Sequence, residues 1–237
     1  MNNHWTFFAF PLNLLLALLW AIVLVWLWKK HPQSKVVRFL LSPAATISAL
    51  ALLLVSCLWQ GLRCDAGFSE SIPFLIILLY VQTVLLLVIL RGWRTPAGVI
   101  RWRFLLLHAG LLLAVGSGFW GAPDSDEFRV ALKPGQETVT VFREDGSSYC
   151  LGYFLGLADY DPVKCEASIM IWGSQPIKIS VNSPHSVRLG EDVYIASVSE
   201  THCILQIVKE PWRYFCLVGV VMLLSGAFLL FIKGPRR

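Results

Sequence analysis

A single histidine stands inside an apolar run. His108 lies in Arg101–Gly121, RWRFLLLHAGLLLAVGSGFWG, and none of the other apolar segments contains a histidine. An ionisable side chain at membrane depth is costly, so it is either buried against protein or put to use. The structural role would be a bond to a neighbouring helix or snorkelling to the interface; the chemical role would be to hold a ligand. On a helix, His108 shares a face with Leu111, Leu112, Val115 and Phe119, whereas Gly110, Ala114, Ser117, Gly118 and Gly121 lie largely on the other side. Small residues at such spacing let a second helix approach closely, so Gly110, Ala114 and Gly118 are the expected partner-packing positions. The bulky face with the imidazole would suit a large flat apolar ligand, or a partner helix that completes its site.

Other reactive side chains point to less. His4, His31, His185 and His202 sit in polar or interfacial contexts, and His202 beside Cys203 is a weak metal signal. Cys57 and Cys216 fall in apolar segments and read as small hydrophobes. Cys64, Cys150, Cys165 and Cys203 are expected on an oxidising side, where a structural disulfide is an option. Cys150 and Cys165 are the candidate pair, and sequence does not choose among the pairings. There is no CxxC, HExxH, GxSxG or phosphate loop, so neither a thiol-redox pair nor a hydrolytic or transferase site is spelled out. Asp124, Asp126 and Glu127 read as a solvated linker.

The elements that must position these residues are mostly membrane helices. Of 237 residues, 56% are hydrophobic and only 15% charged, against about 25% charged in an ordinary soluble domain. The net charge of +5 sits in short clusters beside apolar runs, which marks membrane topology and excludes a nucleic-acid face. Spans are expected at about Phe7–Trp28, Phe39–Leu62, Ile72–Leu90, Phe104–Trp120 and Trp212–Ile232. The first lacks a basic leader and is followed by Lys29 and Lys30, so it reads as a retained helix. Lys29, Lys30, Lys35 and Arg38, then Arg91, Arg94, Arg101 and Arg103, and finally Lys233, Arg236 and Arg237 mark the inner side; Arg63, opposed by Asp65 and Glu70, marks the outer. The positive-inside rule then predicts an outer amino terminus and an inner carboxyl terminus.

Between the last two spans, seven short β-prone runs alternate with turn signals such as Pro134-Gly135, Asp145-Gly146 and Gly190-Glu191. They predict a small sandwich or open barrel. The fold class expected is therefore an α-helical integral membrane protein with a small all-β extracytoplasmic domain between the fourth and fifth helices. Its divisions are residues 1–121 for the membrane part, 122–210 for the β domain, and 211–237 for the fifth helix and basic tail.

Several stretches together resemble the ResB (CcsB) family of system II cytochrome c maturation. LLLHAGLLLAVGSGFWG followed by RVALKPGQ looks like the entry to that family's extracytoplasmic domain. IKISVNSPHSVRLGEDVYIASV and VKEPWRYFCLVGVVMLLSGAFLLFI are similar to its strand pair and closing helix, and the likeness covers roughly residues 70–235. The resemblance implies a bacterial inner-membrane subunit that helps bind haem b and present it to apocytochrome c, as an accessory of a cytochrome c haem lyase complex. It implies a CcsA (ResC)-like membrane partner, which supplies the tryptophan-rich WWD segment that this sequence lacks. It also implies that His108 is one axial ligand to the haem iron. His108 lies about five residues past Arg103, roughly 7–8 Å along a helix, near the cytoplasmic face where the family's membrane histidine acts. The alternative expectation is a membrane scaffold that anchors a CcsA-like partner and binds no haem. A quinol-linked or thiol-reducing protein would need a second membrane histidine or a CxxC, and neither occurs.

Overall fold

The computed structural model of the chain describes residues 9–63 and 71–232. It divides into two compact units, Met1–Ala122 with Arg213–Arg237, and Pro123–Trp212.

The first unit holds helices α1 (Leu12–Lys30), α2 (Lys35–Leu40), α3 (Pro43–Arg63), α4 (Ile72–Gly92), α5 (Trp102–Gly121) and α6 (Arg213–Ile232). All but α2 are long and apolar enough to cross a membrane. Within these leucine-rich runs the backbone groups pair along the helix, as an apolar solvent demands. Pro43 and Pro73 sit in first turns, where a missing N–H costs nothing. The short α2, unanticipated from sequence, is capped by Ser34, whose hydroxyl accepts from Val37 N at 3.2 Å. Phe7, at the expected start of the first span, lies outside the described residues, and α1 begins at Leu12.

Small and polar side chains join these helices. Ala45 and Ala49 of α3 pack against Val81 and Val84 of α4, and Ser48 Oγ lies 2.9 Å from Tyr80 Oη. Asn13 Nδ2 of α1 donates to Trp120 O of α5 at 2.7 Å, and Trp120 Nε1 donates to Gln82 Oε1 of α4 at 3.1 Å. Such bonds between membrane helices contribute on the order of 1 kcal/mol each.

The second unit is one antiparallel sheet of β1 (Asp126–Leu132), β2 (Gln136–Phe142), β3 (Ser148–Asp161), β4 (Glu166–Ile171), β5 (Ile177–Ser180), β6 (His185–Arg188), β7 (Glu191–Val198) and β8 (Cys203–Lys209). The order is β5-β4-β3-β2-β1-β8-β7-β6. This is a meander whose ends meet: β1 pairs with β8 from Asp126↔Lys209 to Leu132↔Cys203. The chain therefore enters and leaves the sheet at the same end. The gap in the ring falls between β5 and β6, each four residues long, with Pro184 before β6 at an edge, where a missing donor is tolerated. Alternating residues, among them Phe128, Leu155, Leu157, Ile169, Leu205 and Ile207, fill the interior and are all but inaccessible. At the tethered end Trp212 Nε1 donates to the buried Asp124 Oδ2 at 2.7 Å, so Asp124 is no solvated linker residue.

The expected fold class is corrected here. The chain is not a helical protein with a small β appendage but a mixed one, with six helices and a nearly closed eight-stranded barrel-like sheet among the described residues. A two-sheet sandwich is excluded by the unbroken strand order. The long-range β1–β8 pairing makes the difference, because it joins runs some seventy residues apart into one sheet.

Candidate functional site

The site is built on α5 and the turn before it. Residues 93–101 form a tight connection: Arg101 N donates to Trp93 O at 2.8 Å, Arg94 bridges Ile100, and Gly98 takes φ 78°. Gly92, which ends α4, lies against the Phe104 ring, and a Cβ there would stand 2.5 Å from Phe104 Cζ and push the ring aside. The Phe104 ring is thereby held beneath the turn, with the Arg101 guanidinium carbon 5.1 Å from its centroid.

His108 is one turn further on. Its ring stacks on Phe104 at 4.0 Å between centroids and 26° between planes. Nδ1 lies 2.9 Å from Phe104 O. A carbonyl only accepts, so Nδ1 carries a proton, and in the neutral ring Nε2 keeps its lone pair. Among the described residues no hydrogen bond occupies Nε2. Along this side of α5, at 100° per residue, follow Leu111, Val115, Leu112 and Phe119. Leu111 is 41% exposed and the others, like His108, are half-buried. The imidazole thus has its orientation set by its own helix, on a half-buried apolar face, with no hydrogen bond to Nε2 among the described residues. Histidine ligands to metals are oriented in just this way, by a bond from the other ring nitrogen.

The small-residue side is taken up within the chain. A Cβ on Gly110 would lie 2.7 Å from Gly219 O, and one on Gly219 would lie 2.8 Å from both Gly110 O and Ala114 N. Gly226 likewise faces Leu107. Gly110 and Ala114 therefore receive α6 of the same chain. Gly118 meets nothing within 4 Å.

The candidate disulfide is also corrected: Cys150 and Cys165 are free and exposed. Cys150 starts β3 and Cys165 lies in the turn beyond its end. At ~3.3 Å per strand residue they stand on the order of 30 Å apart, far beyond disulfide reach. Cys203 is buried in the sheet, and burial pushes its thiol up to about 11. His202 Nδ1 is taken by Ser199 Oγ at 2.9 Å and Thr201 Oγ1 at 3.0 Å, and His31 packs edge-on to Trp26. Among the described residues no cluster of three His, Cys, Asp or Glu is placed to hold a metal. His4, Cys64, Asp65, Glu70, Lys233, Arg236, Arg237 and the Arg63 side chain lie outside what the structure describes.

Two further features were not foreseen. Arg101 and Phe104 precede His108 at i−7 and i−4, a spacing that already places three side chains on one helix face. In the sheet, Tyr153 Oη donates to the buried Glu191 Oε1 at 2.6 Å. Burial, then the Glu191 bond, raises the phenol far above its ordinary value. The Arg188 guanidinium rests over Tyr153 and Trp172, at 5.4 and 5.3 Å from their centroids. Trp172 takes the left-handed φ of 53° there.

Fold and site together define a helical unit with five helices long and apolar enough to cross a membrane, one of which carries an oriented imidazole, and a barrel-like β unit. No protein-family model matches the chain, and no curated protein is significantly similar to it.

Proposed function

We propose that the protein is a ResB-like subunit of a membrane haem-delivery and cytochrome c synthase complex. In it His108 gives one axial ligand to haem b, and a CcsA-like partner gives the other. The observation that carries this reading is the Nδ1–H bond to Phe104 O, which in the neutral ring leaves the Nε2 lone pair unused on a half-buried apolar face. The donor set fits half of a bis-imidazole site: one neutral nitrogen, bulky apolar neighbours, and no second histidine on the described helices. Bound there, haem would be cargo for attachment to apocytochrome c, with its iron potential set by the two axial ligands. In this reading the protein spans a bacterial cytoplasmic membrane, the β unit lies on the extracytoplasmic side, and His108 is near the inner face. The β unit would dock apocytochrome or the partner's outer haem site.

The test is co-purification with a CcsA-like partner. His108→Ala is expected to lower bound haem at least about tenfold while both subunits still co-purify. Unchanged haem content and cytochrome c yield would leave only the scaffold role.

A further inference from the structure

We propose that Arg101 anchors the propionate carboxylates of the haem whose iron His108 ligates, so that one face of α5 recognises both ends of the same porphyrin. The inference rests on the haem reading above and adds to it the residue that sets the cargo's orientation.

The face is continuous. The Arg101 guanidinium lies over the Phe104 ring, and that ring stacks on the His108 imidazole. Arg101 and His108 are seven residues apart, about 10 Å along a helix axis, which is of the order of the separation between a porphyrin's iron and its propionate ends. The polarity runs the right way for an amphipathic molecule. Arg101 is exposed at the start of α5, whereas His108 and the leucines beyond it lie in the apolar run. A macrocycle against Leu111 and Val115 would send its carboxylates back toward the charged end.

Arg101 is also prepared for a carboxylate. Its Nη1 donates to Gly92 O at 3.4 Å, a long bond that uses one of five N–H donors. The remaining donors present the planar fork that pairs with carboxylates. Arg94 stands nearby in the same connection, its guanidinium carbon 3.8 Å from the Trp93 centroid. No Asp or Glu occurs between residues 71 and 123, so no acidic side chain of α4 or α5 competes for these cations.

The experiment titrates the full chain, in phosphatidylcholine nanodiscs, with haem and with haem dimethyl ester, following the Soret band. The unmodified chain is expected to bind haem about tenfold more tightly than the ester, the scale of one charge-assisted hydrogen bond. Arg101→Gln should bring haem down to the ester's affinity, and Arg101→Lys should recover part of the difference. Equal affinity of the unmodified chain for both compounds, or a preference that survives Arg101→Gln, overturns the anchor and leaves the His108 reading standing. Failure to bind either compound, repeated with the CcsA-like partner co-purified, overturns both. Repetition in phosphatidylglycerol nanodiscs separates the ligands: a preference that persists supports a carboxylate site, and its disappearance assigns Arg101 to lipid phosphate and overturns the proposal.

Discussion

His108 is oriented by a carbonyl four residues back on its own helix, so its geometry survives without any neighbour. The two ionisable groups that stand out in the sheet are in the opposite situation, shaped by burial. Tyr153 keeps its proton in the folded chain far beyond the pH at which an exposed tyrosine, near 10, loses it. Its contribution to stability is therefore complete below about pH 10 and is lost as pH rises above it, because only the unfolded phenol ionises. Hydrogen exchange of the strands should show this alkaline loss, and Tyr153→Phe should remove the slope while costing roughly 1–3 kcal/mol at neutral pH by leaving Glu191 without its donor. Cys203 should resist a water-soluble maleimide at pH 7.5, being buried and shifted up, while Cys150 and Cys165 react at once. Mass spectrometry decides it; a chain in which Cys150 and Cys165 stay unlabelled until reduced would restore the disulfide. The fourteen-residue β3 carries the chain away between them.

Between elements, the α5–α6 contact sets the strictest demand. The backbones meet at Gly110 and Gly219, where a single Cβ already lies under 3 Å from backbone atoms that cannot yield. Gly219→Leu is expected to cost about 1–3 kcal/mol or more by overpacking, whereas Gly118→Leu, facing open space, should be nearly neutral. Resistance to unfolding in denaturing detergent ranks the two, and equal sensitivity would refute the packing. The small-residue face of α5 was legible in sequence through its 3.6-residue periodicity. Its occupant was not, because any of several apolar helices could lie against it. Strand β6 was missed for a related reason: His185–Arg188 carries one apolar residue and no alternation, and it is a strand only because β7 pairs with it.

The whole molecule is electrically divided. Residues 123–212 hold thirteen acidic and seven basic residues, a formal charge of −6, and the remainder carries +11. The basic share clusters at helix ends, so the spans and their connections could be read directly from sequence. Closure of the sheet could not, since β1–β8 pairing depends on contacts that no local pattern encodes. Arg101 shows the limit most clearly: as a topology charge it was plain, but its place over Phe104 and beside the His108 face emerges only with the turn folded. The central claim is that His108 Nε2 binds haem iron. Its most direct test is chemical rescue. With the partner present, His108→Gly should lose the low-spin bis-imidazole spectrum and regain it when free imidazole is added. A spectrum that His108→Gly leaves unchanged, or one that imidazole fails to restore in a folded complex, would contradict the account.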